Sequence, residues 1–332
     1  MIPLKISDVF IEIGFTLGLV SNSFLIYLTL FHIKKVTGTY KKMVVLFSTI
    51  SIVFAGLEIT ARPFSHNYKH FLVFFSTNTW IESKDLRLLL VAIWAGFYLL
   101  VVAFISLQFF YRFWCLFDGN KAKHFDGWKS WFWMAYPFLP ALVYGASFYW
   151  FCMPDEYSDE SLRSIVLEYY SIEINQLPRF VMIPYAPDGS IRWLNISFLI
   201  SGLCNIFLHY SIILYCGLKM HANISQKLKI PRCSEHRPTL FLVLPIAPIL
   251  AVPLMSPYIG GEISWQPGWL YSIVGLFPPF DSVAFMLIVK EYPKVIKGLF
   301  RKGFGKNHVE PTTVNSQPAV SISHAVSNTI AM

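Results

Sequence analysis

Residues Leu88–Tyr111 read LLLVAIWAGFYLLVVAFISLQFFY, twenty-four consecutive positions without Asp, Glu, Lys or Arg. At a helical rise of 1.5 Å, about 20 apolar residues cross a hydrocarbon core about 30 Å thick. Lys84, Asp85 and Arg87 stand before the run and Arg112 follows it, so it is bounded by charge at both ends. A run of this length and purity reads as a membrane span.

Six further candidates appear under the same ruler: Val9–Phe31, Met43–Ala61, Ser130–Met153, Trp193–Leu218, Thr239–Pro257 and Gly268–Val289. The composition agrees. Charged residues are 14% of the 332, against about 25% in a soluble protein. Thirty Phe, seventeen Tyr and ten Trp exceed what a water-soluble core of this size can hide. The expected fold is all-α, a seven-transmembrane helix bundle. The sixth span is crowded by Pro245, Pro248, Pro253 and Pro257, each of which removes a backbone donor, so it is expected to be kinked. The first apolar stretch lacks a small-residue cleavage site and precedes its basic cluster, so it reads as a retained span and not a signal peptide.

Lys and Arg orient the bundle. The connections after spans one, three, five and seven hold 19 of the 27 basic residues, which places the N-terminus outside and the C-terminus inside. The acidic segment Pro154–Ile191 then falls outside. Four parts emerge: an extracellular tail (1–8), the bundle (9–289), an amphipathic helix (290–305) and a disordered cytoplasmic tail (306–332). In the third part Tyr292, Val295, Ile296, Leu299 and Phe300 recur with helical spacing among Lys294, Lys297, Arg301 and Lys302, a pattern suited to an anionic membrane surface. The net charge of +8 is thus explained by topology, and no nucleic-acid partner is expected.

Few residues carry chemistry. Ionisable groups in a span are functional suspects because isolated charge in hydrocarbon is costly. Glu58 and Arg62 lie at i, i+4 near the outer end of span two, the spacing of a structural ion pair, with a ligand contact as the alternative. Asp281 comes after the Pro278–Pro279 break in span seven and reads either as a conformational switch or as a buried hydrogen-bonded hinge. Pro278, Pro245 and Pro248 supply hinges. His209 reads as a satisfied core histidine. The outer halves of the spans offer Trp94, Phe97, Tyr98, Trp150, Trp193, Asn195, Trp269 and Tyr271, a lining suited to a neutral or apolar small molecule. Interfacial aromatic belts would produce a similar clustering.

Catalytic motifs, metal-ligand spacings and cofactor fingerprints are missing, so neither an enzyme nor a cofactor is expected. Span seven has no Lys for a retinal Schiff base, and span three has no Asp for an amine ligand. Cys115, Cys152, Cys204, Cys216 and Cys233 read as free thiols, and neither sequon, at Asn195 and at Asn223, is well placed for a glycan.

Several short motifs, taken in order, resemble the nematode seven-transmembrane chemoreceptors of the Str group. They are Gly38-Thr39-Tyr40-Lys41, Arg62-Pro63 with His66, Tyr111-Arg112-Phe113, Pro154–Glu160, Gly189–Trp193, Pro279-Phe280-Asp281 and Glu291-Tyr292, and together they span about Gly18 to Phe300. The resemblance implies a G-protein-coupled receptor in the plasma membrane of a sensory cilium, with an odorant-like small molecule, membrane lipid and a heterotrimeric G protein as partners. Tyr111 and Arg112 match the family's inner end of span three, so they are expected at the G-protein face with Lys227 and Lys229. Ser282 stands where the family has Pro after Asp281, Pro293 where it has Arg, and Pro245 where it has Gln. A secondary transporter and a non-signalling receptor copy are the alternative readings.

Overall fold

The computed structural model describes residues 2–33, 38–228, 246–258, 264–289 and 291–304. Five helices among them are long and apolar enough to cross a membrane: Pro3–His32, Gly38–Ala61, Lys84–Phe117, Trp193–Asn223 and Gly268–Leu287. We label the elements in chain order: α1 (Ile2–Tyr27), α2 (Gly38–Ala61), β1 (Pro63–Tyr68), β2 (Phe71–Ser76), α3 (Lys84–Phe117), α4 (Lys129–Ala135), α5 (Phe138–Phe151), α6 (Glu156–Tyr170), β3 (Arg179–Met182), α7 (Trp193–Leu228), α8 (Ile246–Met255), β4 (Ser264–Trp265), α9 (Gly268–Val274), α10 (Phe277–Ile288) and α11 (Glu291–Phe304).

The axis of the bundle is α3. Of its most apolar window 78% is buried, against 28% for α1, so α3 is enclosed and α1 faces outward. Ser83 caps its start by accepting from the Leu86 amide at 3.3 Å, and Asp85 lies in the first turn, where the helix dipole favours a carboxylate. Between apolar helices in lipid, packing and hydrogen bonds replace the hydrophobic drive. Both are present. Gly96 on α3 and Gly145 on α5 meet backbone to backbone, with the Gly145 Cα 3.6 Å from an ideal Cβ at Gly96. Helix α1 is tied by buried polar pairs, Ser7–Ser272 at 2.6 Å to α9 and Ser282–Asn22 at 2.5 Å to α10, and in the π-helical turn Leu28–His32 that continues it Thr29 meets Tyr292 of α11 at 2.9 Å.

The expected fourth span is two helices, α4 and α5, divided at Tyr136–Pro137 because Pro137 has no N–H to continue the ladder. The first part of the sixth candidate lies outside the described residues, and its end forms α8 with Pro253 inside it. The seventh is divided into α9 and α10 at Gly275–Leu276. Residues 2–8, assigned to a tail, begin α1 instead.

The fold is mostly helical, as expected, but not helical throughout. A four-stranded antiparallel sheet, in the order β3-β2-β1-β4, closes one end of the bundle. Its two faces alternate strictly. Leu72, Phe74, Phe180 and Met182 turn into the bundle, while Phe64, Phe71, Val73, Phe75 and Val181 pack under α6 through Leu162, Ile165, Val166 and Tyr170. Every residue of β2 and β3 is buried, since each strand is covered on both faces.

Helix α6 begins with a capping box, in which Asp155 accepts from the Ser158 amide at 3.0 Å and the Asp155 amide donates to Ser158 Oγ at 2.9 Å. Burial alone would raise the Asp155 carboxyl, but the Ser158 bonds and Arg192, at 2.9 Å, outweigh it and hold it below the usual carboxylate range. Arg179 is buried beneath α6, paired with Asp159 and donating to the carbonyls of Ile174 and Leu177. His66 on β1 shares a hydrogen bond with the Tyr170 hydroxyl through Nδ1 at 3.0 Å and meets Ser264 Oγ through Nε2 at 3.2 Å. Its burial lowers the imidazole to about 4.

Candidate functional site

Beneath the sheet lies a cavity of about 50 Å³, walled by Phe74, Trp94, Ala95, Tyr98, Leu99, Val102, Tyr144, Phe148, Phe198, Gly202, Ile206, Leu254 and Tyr271. Strand β2 roofs it through Phe74, and α3, α5, α7, α8 and α9 form its sides. Aromatic rings meet edge to face around it. Trp94 and Tyr98 stand 4.8 Å apart, Phe74 and Tyr271 5.5 Å, and Phe74 and Phe148 5.6 Å, within the favoured range for such pairs. At Gly202 an ideal Cβ would come within 2.7 Å of the Tyr144 ring, so a side chain there would displace that wall.

Four side chains of this lining carry a polar atom, and those of Trp94 and Tyr98 are engaged. The Tyr98 hydroxyl donates to the Tyr271 carbonyl at 2.6 Å and lies 3.3 Å from Glu58 Oε1. The Trp94 indole N–H donates to the same oxygen at 3.4 Å. The Tyr271 hydroxyl is different: it is buried with no hydrogen-bond partner among the described residues. Such a group costs about 1–3 kcal/mol when left unpaired, so it favours an occupant with an acceptor.

Three of the eight expected lining residues, Trp94, Tyr98 and Tyr271, therefore meet in one cavity. Phe97 instead stacks on Phe54 at 6.2 Å. Asn195 is buried as a brace, accepting from the Ile183 amide at 2.8 Å and donating to the Phe151 carbonyl at 2.5 Å. Trp269 does not line the cavity, and Trp150 and Trp193 are exposed on the outer surface. His209 is a satisfied core residue, fully buried between the Asn205 carbonyl at 2.7 Å and Tyr136 at 3.3 Å.

The Glu58–Arg62 side-chain pair expected from their spacing does not form. Helix α2 ends at Ala61, and Arg62 adopts a left-handed backbone (φ 41), which carries its side chain off the helical face. Arg62 pairs instead with Asp8 at 3.3 Å and Glu12 at 3.2 Å on α1, and lies over the Trp80 ring. Glu58 is buried, turned toward Trp94 and Tyr98. An ideal Cβ at Gly275 would overlap its carboxylate, so the backbone at the α9–α10 break rests directly on Glu58.

At the opposite end, Arg112 sits among aromatic faces, 5.4 Å from the Tyr40 ring centroid, 5.8 Å from Phe285 and 6.0 Å from Phe109. Its guanidinium also reaches Gln108 at 3.4 Å. Three helices, α2, α3 and α10, thus converge on one cation. Tyr111 stacks on Tyr40 and meets Phe125 edge to face. Asp281 lies within Coulombic reach of Arg112 and Tyr40. Pro278 is in the first turn of α10. Lys227 is at the end of α7 and Pro248 is within α8, whereas Lys229 and Pro245 lie outside the described residues. Ser282, in place of the expected Pro, donates to Asn22 and so replaces a helix breaker with an α1–α10 tie. Cys115, Cys152, Cys204 and Cys216 are free, and Cys233 lies outside the described residues.

A bundle of membrane-length helices around an aromatic cavity defines a multi-pass membrane protein with an apolar site among its helices. The chain belongs to the serpentine type 7TM GPCR chemoreceptor Str family, whose sequence model matches residues 7–297. It is similar to the Caenorhabditis elegans protein named G-protein coupled receptor str-33, at 32% identity over 87% of this chain and 89% of the relative. It is also similar to serpentine receptor class r-10 of C. elegans, at 21% identity over 78% of this chain and 80% of the relative. The Caenorhabditis briggsae protein of the same name matches at 22% identity over 87% and 88%. The protein is therefore a GPCR-like chemoreceptor of the membrane, and its family is one of receptors, not of enzymes.

Proposed function

We propose that this receptor detects a small, neutral, largely apolar molecule carrying one hydrogen-bond acceptor, and that it activates a heterotrimeric G protein. The observation that carries the ligand class is the aromatic cavity under the sheet, in whose wall the Tyr271 hydroxyl is buried with no hydrogen-bond partner among the described residues. Apolar walls with a few fixed polar groups are what small-molecule sites present.

In this reading the sheet end is extracellular and the N-terminus is outside, as the distribution of Lys and Arg supports. Five spans, the α4–α5 pair and the segment ending in α8 make seven. The Arg112 end faces the cytoplasm, where Tyr111, Arg112 and Lys227 meet the G protein. Helix α11 lies along the inner leaflet, its Tyr292, Val295, Ile296 and Leu299 anchored on Leu25, Leu28 and Val44. The receptor works in the plasma membrane, at a sensory cilium. Ligand bias on the cavity is transmitted along α3 and through the Gly275–Pro278 break, with Asp281 and Pro248 as further switch positions.

Tags on both termini, read on intact cells, test the orientation, and a calcium response to a panel of small ketones, esters and alcohols tests the ligand class. The expected result is an accessible N-terminal tag and a ketone or ester response weakened in Tyr271→Phe at equal surface level. An accessible C-terminal tag, or a response confined to charged molecules, would overturn the reading.

A further inference from the structure

A second cavity lies deeper in the bundle, about 20 Å³ in volume, and is walled by Phe54, Val101, Ile105, Tyr210, Ile213 and Pro278 among others. Two residues, Tyr98 and Val102, line both cavities. They stand one helical turn apart on α3, so both chambers adjoin the same turn of that helix. The deeper chamber repeats the chemistry of the upper one. Its lining is apolar, and the Tyr210 hydroxyl is buried with no hydrogen-bond partner among the described residues. Tyr210 itself is 6% exposed.

What could satisfy that hydroxyl is limited. The chamber is large enough for one water, but a buried water needs about two to four polar partners. Among the side chains of its wall only Tyr210 and Tyr98 carry a polar atom, and Tyr98 already donates its proton to the Tyr271 carbonyl. A solute atom tethered to an apolar chain suits the chamber better, because the chain replaces the missing partners with dispersion contacts.

We infer that the two cavities are one elongated site partitioned by Tyr98, and that it takes a straight-chain apolar molecule with a hydrogen-bond acceptor at each end. One acceptor meets the Tyr271 hydroxyl and the other meets the Tyr210 hydroxyl. The chain passes Val102 once Tyr98 turns off the Tyr271 carbonyl. This inference rests on the upper cavity being the ligand site. It adds that specificity for length is set below Tyr98, and that the deep acceptor lies against Pro278 at the start of α10, where the seventh helix is broken.

The test uses the full chain in lipid nanodiscs and two probe series graded by one methylene, straight-chain methyl ketones and straight-chain diketones, with dissociation constants from ligand-detected NMR. The expected result is a diketone optimum at one intermediate length, binding about tenfold more tightly than the monoketone of equal carbon number, which is about 1.4 kcal/mol. Tyr210→Phe should erase that advantage and leave monoketones within twofold. Tyr271→Phe should weaken both series. Ile213→Phe, which fills the deep chamber, should move the optimum to a shorter chain. Binding that depends on Tyr271 but shows no length optimum, or an optimum untouched by both Tyr210→Phe and Ile213→Phe, would overturn the two-chamber site alone. Failure of every ketone to bind above empty nanodiscs would overturn the ligand reading of the upper cavity, and this inference with it.

Discussion

Replacing Gly96 by Ala sets two known effects against each other, and their magnitudes decide the outcome. Alanine in place of a mid-helix glycine contributes about 0.5–1 kcal/mol through the unfolded chain and helix propensity. The added Cβ, however, would lie 2.8 Å from the Ala141 carbonyl oxygen, and across the same contact a Cβ at Gly145 would lie 3.0 Å from the Ala92 carbonyl. Both obstacles are backbone, so no side-chain rotation relieves them. Ordinary contact begins near 3.4 Å, and α3 must therefore move about 0.6 Å from α5. Overpacking of this kind costs about 1–3 kcal/mol, so Gly96→Ala should lose about 1 kcal/mol net. Gly56 on α2 is the control, because an added Cβ there meets nothing within 4 Å and only the favourable effect remains. Thermal unfolding of the purified receptor reads both, at about 2–4 °C per kcal/mol. Gly96→Ala should melt a few degrees below the parent and Gly56→Ala slightly above it. A Gly96→Ala protein that melts as high as Gly56→Ala would refute the close helix crossing. The crossing matters for function, since α3 presents Trp94 and Tyr98, and α5 Tyr144 and Phe148, to the same cavity.

Glu58→Gln keeps an acceptor for the Trp94 indole N–H and should preserve stability, whereas Glu58→Ala leaves that buried donor unpaired and should cost about 2 kcal/mol in the same melting assay. Arg179→Met leaves Asp159 and two carbonyls without their donor beneath α6 and should destabilise the sheet by about 3 kcal/mol, seen as faster proteolysis between α6 and β3. Asp159→Asn should cost less, because that side chain is 26% exposed. Stability should also fall with acid. His66 is held neutral in the fold down to about pH 4, while the unfolded chain takes up its proton near 6.5, so the loss grows from about pH 6.5 to pH 4 and then levels off. The full difference is about 3 kcal/mol, and His66→Gln should remove that part of the pH dependence of the melting temperature.

Length and polarity alone made five of the seven expected spans legible in the sequence. The uncharged run Leu88–Tyr111 became the axial helix because no other element can absorb twenty-four apolar residues. The sheet was hidden for a physical reason. Strands buried on both faces lose the polar alternation that marks a strand, and Phe71-Leu72-Val73-Phe74-Phe75 reads as undifferentiated apolar sequence. The Glu58–Arg62 spacing is correct for a helix, but the helix stops one residue short of Arg62. Depth in the membrane picked out Trp94, Tyr98 and Tyr271, which share one cavity, yet it does not fix rotation. Phe97 sits about 100° round the helix from Tyr98 and faces Phe54. Phe74, Tyr144, Phe148 and Phe198 were missed because their role depends on the sheet and on which faces of α5 and α7 meet. The i, i+4 pair Tyr144–Phe148 is a signal that could have found half of them.

The proposed function requires that a molecule in the cavity under the sheet be read at the Arg112 end. Guanine-nucleotide exchange on a heterotrimeric G protein, measured in vesicles holding the receptor and driven by a panel of neutral ketones and esters, follows that coupling from ligand to partner. Three proteins run side by side: the parent, Gly202→Leu, which fills the cavity against Tyr144, and Arg112→Ala, which removes the cation shared by Tyr40, Phe109 and Phe285. The expected outcome is exchange in the parent, loss of both ligand binding and exchange in Gly202→Leu, and retained binding without exchange in Arg112→Ala. No exchange above empty vesicles in the parent, or exchange that survives either substitution unchanged, would break the link between cavity and Arg112.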